Sequence, residues 1–173
     1  MNLSDIDGLM LDKVDMILAQ WQRQHDDLPL QAMGILGRLK RCVSLLDNML
    51  LTQFDAFDLN YGEFDVLAAL RRSGEPYTLT PTQLYSTLMI SSGTITNRLK
   101  HLQNKELIKR LPNPDDNRSL LVQLTDEGKI LVDKVFFVHI TGEKDLLADM
   151  PDEVLQGLDK GLRELLSQLE RQI

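Results

Sequence analysis

The sequence predicts a mainly α fold of the α+β class, in which one short β-hairpin interrupts a series of amphipathic helices. Three observations predict it. Apolar residues recur at steps of three and four along most of the 173-residue chain. Residues 107–124 depart from that period: two short apolar runs flank a dense turn cluster, Pro112-Asn113-Pro114-Asp115-Asp116-Asn117. Helix-capping residues also stand ahead of several apolar stripes, as at Asn60, Thr80-Pro81 and Thr125-Asp126-Glu127.

The first segment, residues 5–25, is expected to be a helix with Leu11, Val14, Leu18 and Trp21 on one face, ended by His25-Asp26-Asp27 ahead of Pro29. A second helix, residues 30–54, carries Leu36, Leu39, Val43, Leu46 and Leu50 as a stripe. Asn60 caps a third, with Phe64, Leu67 and Leu70 inward and an end near Ser73-Gly74, followed by a turn at Glu75-Pro76. Thr80-Pro81 starts a short helix that ends near Met89. Ser91-Ser92-Gly93 interrupts, and the next helix turns Ile95, Leu99 and Leu102 inward. Leu107-Ile108 and Leu111 suggest a strand, and residues 119–124 (SLLVQL) a returning one. Thr125 then opens a helix with Ile130, Val135 and Val138 apolar, and residues 151–173 form a last helix striped by Val154, Leu158, Leu162, Leu165 and Leu169.

A pair of short helices followed by a hairpin with a turn-rich tip is a winged helix-turn-helix. The end helices carry more apolar stripe than so small a core can bury, so they are expected to dimerise about a two-fold axis. The expected organisation is an added N-terminal helix (1–27), a dimerisation helix region (28–60), the winged helix-turn-helix core (61–125) and C-terminal dimerisation helices (126–173).

Composition bounds the function. The chain is 43% hydrophobic and 26% charged, which excludes a mainly disordered chain. No apolar run is long enough to span a bilayer, and MNLSDIDGLMLDK lacks a signal-peptide core, so a cytoplasmic protein with no membrane partner is expected. Cys42 is the only cysteine, and His25, His101 and His139 are far apart, so neither a disulfide nor a metal site is suggested. No cofactor is expected. A glycine-rich phosphate loop, a nucleophile elbow and a His at motif spacing from a Ser or Cys are all missing, which argues against an enzyme. The net charge of −7 argues against nucleic-acid binding if taken as an average. The charge is segregated, however. Residues 91–118 hold six cations against three carboxylates, a net of +3, so the remaining chain carries −10. A basic island on an acidic body suits a DNA reader.

Within that island, burying Ile95, Leu99 and Leu102 turns Thr94, Asn97, Arg98 and His101 outward. These side chains suit base edges: Arg for guanine, Asn for adenine, Thr for the thymine methyl. Ser91 or Ser92 can cap the helix or donate to a phosphate, and Lys100 and Lys105 flank it as phosphate contacts. Arg118 sits at the expected wing tip, where it can enter a narrow minor groove, with Asp116 placed to hold its guanidinium.

The run ISSGTITNRLKHLQNKELIKRLPNPDDNRSLLVQLTDEGK resembles the DNA-binding core of the multiple-antibiotic-resistance regulator (MarR) family. The shared features are the recognition helix, an L-x-x-K-x-L-I-x-R passage into the wing, Asp116-Asn117-Arg118 at its tip, and an L-T-x-x-G entry to the next helix. The resemblance implies a homodimeric transcription regulator, often a repressor released by a small ligand. It would bind a pseudo-palindromic double-stranded operator with half-sites about 34 Å apart.

A ligand site is also suggested. Asp65 and Arg72 are seven residues apart on one helix face, separated by roughly 10.5 Å along the axis, too far to pair directly. A planar anion with N–H donors could lie across the gap, with Trp21 as a stacking face. Trp21, Asp65, Arg72 and Arg110 resemble the urate-binding set of the urate-responsive branch of the family, in which Arg98 matches a position that couples ligand to DNA. The resemblance implies urate or a close analogue as effector. Phenolic or other aromatic ligands remain open, as do ordinary core and ion-pair roles for these four residues. Cys42 offers a third reading, an oxidation sensor, but its mid-helix apolar setting favours a buried, inert thiol.

Overall fold

The computed structural model describes residues 11–88, 92–116 and 118–172. The chain divides into two compact units, one through Thr52 and the other Gln53–Ile173.

The first unit holds α1 (Lys13–Gln24) and most of α2 (Gln31–Asp55). Asp12 has extended backbone and caps α1: its carboxylate accepts from the N–H groups of Val14 at 2.7 Å and Asp15 at 2.9 Å, and the Asp15 carboxylate accepts from Asp12 N–H in return. Leu11 therefore precedes the helix rather than joining its stripe. The expected start at Asp5 lies outside the described residues. Arg38 on α2 donates to both Asp12 and Asp15. The two helices approach closely at glycines: a Cβ on Gly34 would stand 3.1 Å from Leu18 Cδ1, and one on Gly37 3.2 Å from Val14 Cγ1. Cys42 is exposed, not buried as expected. It lies about 80° from Gly34 and about 140° from Gly37 around the helix, off the face that α1 covers.

The second unit contains α3 (Tyr61–Arg72), β1 (Thr78–Leu79), α4 (Pro81–Leu88), α5 (Ser92–Asn104), β2 (Ile108–Pro112), β3 (Leu120–Leu124), α6 (Asp126–Leu147) and α7 (Asp152–Glu170). Asn60 caps α3, and the helix ends at Ser73 with Gly74 at φ 78°, a left-handed position that suits glycine. Thr80 and Gln83 exchange backbone-to-side-chain hydrogen bonds at the start of α4. The strands form an antiparallel sheet of order β1-β3-β2, with Arg110 opposite Val122 in the wing. Sequence periodicity misses β1. Two residues carry no period, and this strand exists because the second edge of β3 accepts it, Thr78 opposite Gln123.

One core joins these elements. Phe54, Phe64, Leu67 and Leu70 pack with Leu84 and Leu88 of α4, Ile95, Leu99 and Leu102 of α5, Ile108 and Val122 of the wing, and Val132 and Val135 of α6. On α6 the expected inward trio is only partly right. Val135 is buried, but Ile130 is 71% exposed and Val138 is also exposed. The buried face runs Gly128, Val132, Val135, and Ile130 lies about 160° around from Val132. On α7, Val154, Leu158, Leu162 and Leu169 form the expected stripe, and all four are exposed within the single chain. No described helix is long and apolar enough to cross a membrane.

Candidate nucleic-acid interface

Helix α5 is seated by Ile95, Leu99 and Leu102, all at most 3% exposed, which fixes what its other faces present. Thr94, Asn97 and His101 are exposed, as the periodicity predicts, and so is Lys100 on the flank. Ser91 lies outside the described residues. Ser92 opens α5, and its side chain likewise lies outside what is described. Thr94, Asn97, Arg98 and His101 line one shallow groove of about 450 Å³ with Asn60 and Glu63 of the α3 start.

Two of the expected DNA contacts are tied to α3. The Glu63 side chain is 4% exposed, and its carboxylate takes the Lys105 ammonium at 3.4 Å and His101 Nδ1 at 3.4 Å. The same carboxylate accepts from Asn60 N–H at 3.2 Å, while Asn60 Oδ1 accepts from Glu63 N–H at 2.9 Å. Lys105 also donates to the Asp58 carbonyl. Glu63 therefore caps its own helix and holds α5 through His101, with Lys105 one residue past the end of that helix. The motif was legible as N-x-x-E ahead of an apolar run, but its reach to Lys105, 42 residues on, was not.

Arg98 is only partly exposed. Its guanidinium lies over the first turn of α3, where a Cβ on Gly62 would stand 2.7 Å from Nη2 and closer still to Cζ and Nε. Outward projection places Arg98 on the face it shares with Thr94, Asn97 and His101, but not its approach to Gly62, because helix geometry says nothing of a glycine gap on another helix.

The wing tip is built from short polar turns. Asn113 is buried, donates to Ser119 Oγ at 2.8 Å and accepts from Asp115 N–H at 3.1 Å. Asp116 Oδ1 accepts from the backbone N–H of Arg118 at 2.9 Å. Asp116 thus meets Arg118 through its backbone, and among the described residues no ion pair joins the carboxylate to the guanidinium. The carboxylate shapes the turn and leaves the Arg118 side chain exposed.

Of the expected ligand residues, Asp65 and Arg72 lie on α3. Asp65 is half-buried, and burial pushes its carboxyl above the ordinary carboxylate value, an effect that Arg72 and then Arg98 offset. Among the described residues no hydrogen bond or ion pair joins Asp65 to Arg72, which act on each other through charge alone. The adjacent Arg71 turns the other way, to Asp133 of α6 at 2.8 Å and over the Tyr77 ring. Arg110 is exposed on β2. Trp21 belongs to the first unit, 45% exposed, its ring centroid 6.1 Å from that of His25. Among the described residues no group of His, Cys, Asp and Glu could hold a metal ion.

A short helix pair packed under a two-strand wing, with a polar recognition face beside an exposed wing arginine, defines a winged helix-turn-helix regulator. Residues 57–119 match the family model described as "MarR family". The chain is 37% identical over 161 residues to the HTH-type transcriptional regulator PecS of Dickeya dadantii (strain 3937), covering 93% of this chain and 95% of that one. The chain belongs to the MarR family of transcriptional regulators. Among solved structures it is similar to a mutant MarR from E. coli complexed with operator DNA, at 27% identity and TM-score 0.69, covering 81% of this chain and 99% of that one. Its fold is also that of AbsC from Streptomyces coelicolor, at 20% identity and TM-score 0.67, covering 94% and 98%.

Proposed function

We propose that this chain acts as a homodimeric repressor that binds a pseudo-palindromic operator and is released by a planar anionic ligand of the urate type. The observation that carries the DNA reading is the exposed polar row Thr94, Asn97, Lys100 and His101 on a helix anchored by three buried residues, with Arg118 projecting from the wing. Thr94, Asn97, Arg98 and His101 face the major groove, Lys100 meets phosphate, and Arg118 enters the minor groove. Lys105 must leave Glu63 and Asp58 to reach a phosphate. Ser92 opens the recognition helix, where N–H groups suit a phosphate, and Ser91 precedes it in the sequence. The match to operator-bound MarR supports this reading.

The dimer is formed by the helices of residues 28–60 and 126–173, whose apolar stripes lie exposed in one chain. For the effector, Asp65 supports an N–H-bearing ligand: a half-buried carboxylate without a hydrogen bond among those described gains from a donor. Arg72 and Arg110, in the same unit as Asp65, supply positive charge for the anion. The similarity to PecS supports the regulator reading over nearly the whole chain.

The test is fluorescence anisotropy of the purified protein on its own upstream intergenic DNA against scrambled DNA, with and without urate. Selective binding reversed by urate is the expected result. Selective binding unmoved by urate removes the effector and keeps the regulator, and no selectivity at low salt removes the assignment of the recognition face.

A further inference from the structure

We propose that Gly62 is a seat for Arg98: the missing side chain at this position stows the recognition-helix guanidinium against α3, and the operator draws it out. This rests on the reading of Arg98 as a base-facing residue. Three observations carry it. Gly62 is buried in the first turn of α3, and a Cβ there would overlap the Arg98 guanidinium, at 2.7 Å from Nη2. The blocking atoms belong to the tip of a flexible side chain, so a larger residue displaces Arg98 rather than the helix. Asp65, three residues on and on the same helix face, is half-buried and interacts electrostatically with Arg98. Arg98 also lines the groove beside Thr94 and Asn97, so a small rotation about its own bonds carries it from the seat to the outer face.

A glycine inside a helix lowers helix propensity, so neither the helix nor the turn needs it here. Its position has a use only if something must come close, and Arg98 is what comes close. Seating and base contact compete for one guanidinium, so filling the seat favours the DNA-ready pose.

The experiment is a double-mutant cycle with Gly62→Ala and Arg98→Ala, read by anisotropy on the operator. G62A is expected to tighten operator binding by about 3–10-fold in the wild-type background and to have no effect in R98A. An equal change from G62A in both backgrounds overturns the seat, because a merely structural glycine acts without Arg98. An R98A protein that binds as well as wild type removes the base-facing reading instead. In that case the free protein still decides the seat, through the Arg98 Nε–H resonance in a 15N-arginine-labelled sample. A resonance displaced from the free-arginine position in wild type, and returned to it in G62A, supports the seat. A free-arginine position in wild type overturns it.

Discussion

Replacing Glu63 should unfasten the recognition helix, and the structure sets the size of the effect. Glu63→Ala deletes half of a capping box, worth about 0.5–1 kcal/mol. It also removes a buried carboxylate that faces the Lys105 ammonium and His101 Nδ1, each at 3.4 Å. Removing one partner of a fully buried ion pair costs about 3–5 kcal/mol. Lys105 is 30% exposed and keeps the Asp58 carbonyl, so the loss here scales down to about 1–2 kcal/mol. The total of about 1.5–3 kcal/mol lowers Tm by roughly 3–12 °C for a chain of this size. Glu63→Gln retains volume and an acceptor for Asn60 N–H and loses only the charge, about 1 kcal/mol. The assay is urea unfolding followed by far-UV circular dichroism at one fixed protein concentration, with operator anisotropy alongside. Both variants should weaken operator binding, E63A more, because Glu63 seats α5 through His101; Lys105, one residue past the helix end, is freed for a phosphate and offsets part of that loss. A loss below about 0.5 kcal/mol for E63A, or equal losses for E63A and E63Q, refutes the assignment of Glu63 as the fastener.

Three further outcomes follow from the same structure. Asp65 has a raised folded-state pKa, so its stability contribution is present below the unfolded value, about 3.9, and is lost as pH rises through the folded value. Asp65→Asn should therefore be more stable than wild type at pH 7 by at most about 1 kcal/mol after solvent screening, with the gap closing toward pH 3.5; a gap that widens on acidification contradicts the sign. Arg118→Ala should weaken binding on all sequences alike, whereas Asn97→Ala should lose about 1–3 kcal/mol on the cognate operator only, so competition against scrambled DNA must separate the two. Leu162→Glu, on the exposed stripe of α7, should shift the sedimenting species from dimer toward monomer while far-UV circular dichroism is retained; an unchanged sedimentation coefficient removes α7 from the dimer contact.

Elements set by local chemistry were legible in the sequence. Asn60, Thr80 and Thr125 cap where they were expected to, because a side-chain oxygen two or three residues ahead of an N–H is a local geometry. The inward rows of α3 and α5 followed from period alone. What escaped was set by a neighbour. β1 needs the free edge of β3, Ile130 needs to be known to miss the face defined by Gly128 and Val132, and Cys42 needs to be known to miss α1. The candidate site divides the same way. The outward row on α5 was readable, but the commitment of Lys105 and His101 to Glu63 and the place of Arg98 over Gly62 depend on segments tens of residues away.

These long-range ties converge on α3, and that has a consequence for how a ligand could reach DNA. Glu63, braced by Asn60, holds His101 of α5 and Lys105 just past its end, Gly62 receives Arg98, Asp65 and Arg72 stand one and three turns further along, and Arg71 grips α6 through Asp133. A ligand that neutralises or engages Asp65 alters the field on Arg98 within a single helix turn, with no chain of intervening contacts required. Allosteric couplings are typically about 1–3 kcal/mol. Weakening operator affinity a hundredfold needs about 2.7 kcal/mol in total. In a symmetric dimer each protomer need supply only about half of that, which is the scale of rearranging one charged side chain at a half-buried site. A single arginine moving on a single glycine is thus sufficient in magnitude, and a rigid-body swing of the whole winged domain is not required by the energetics.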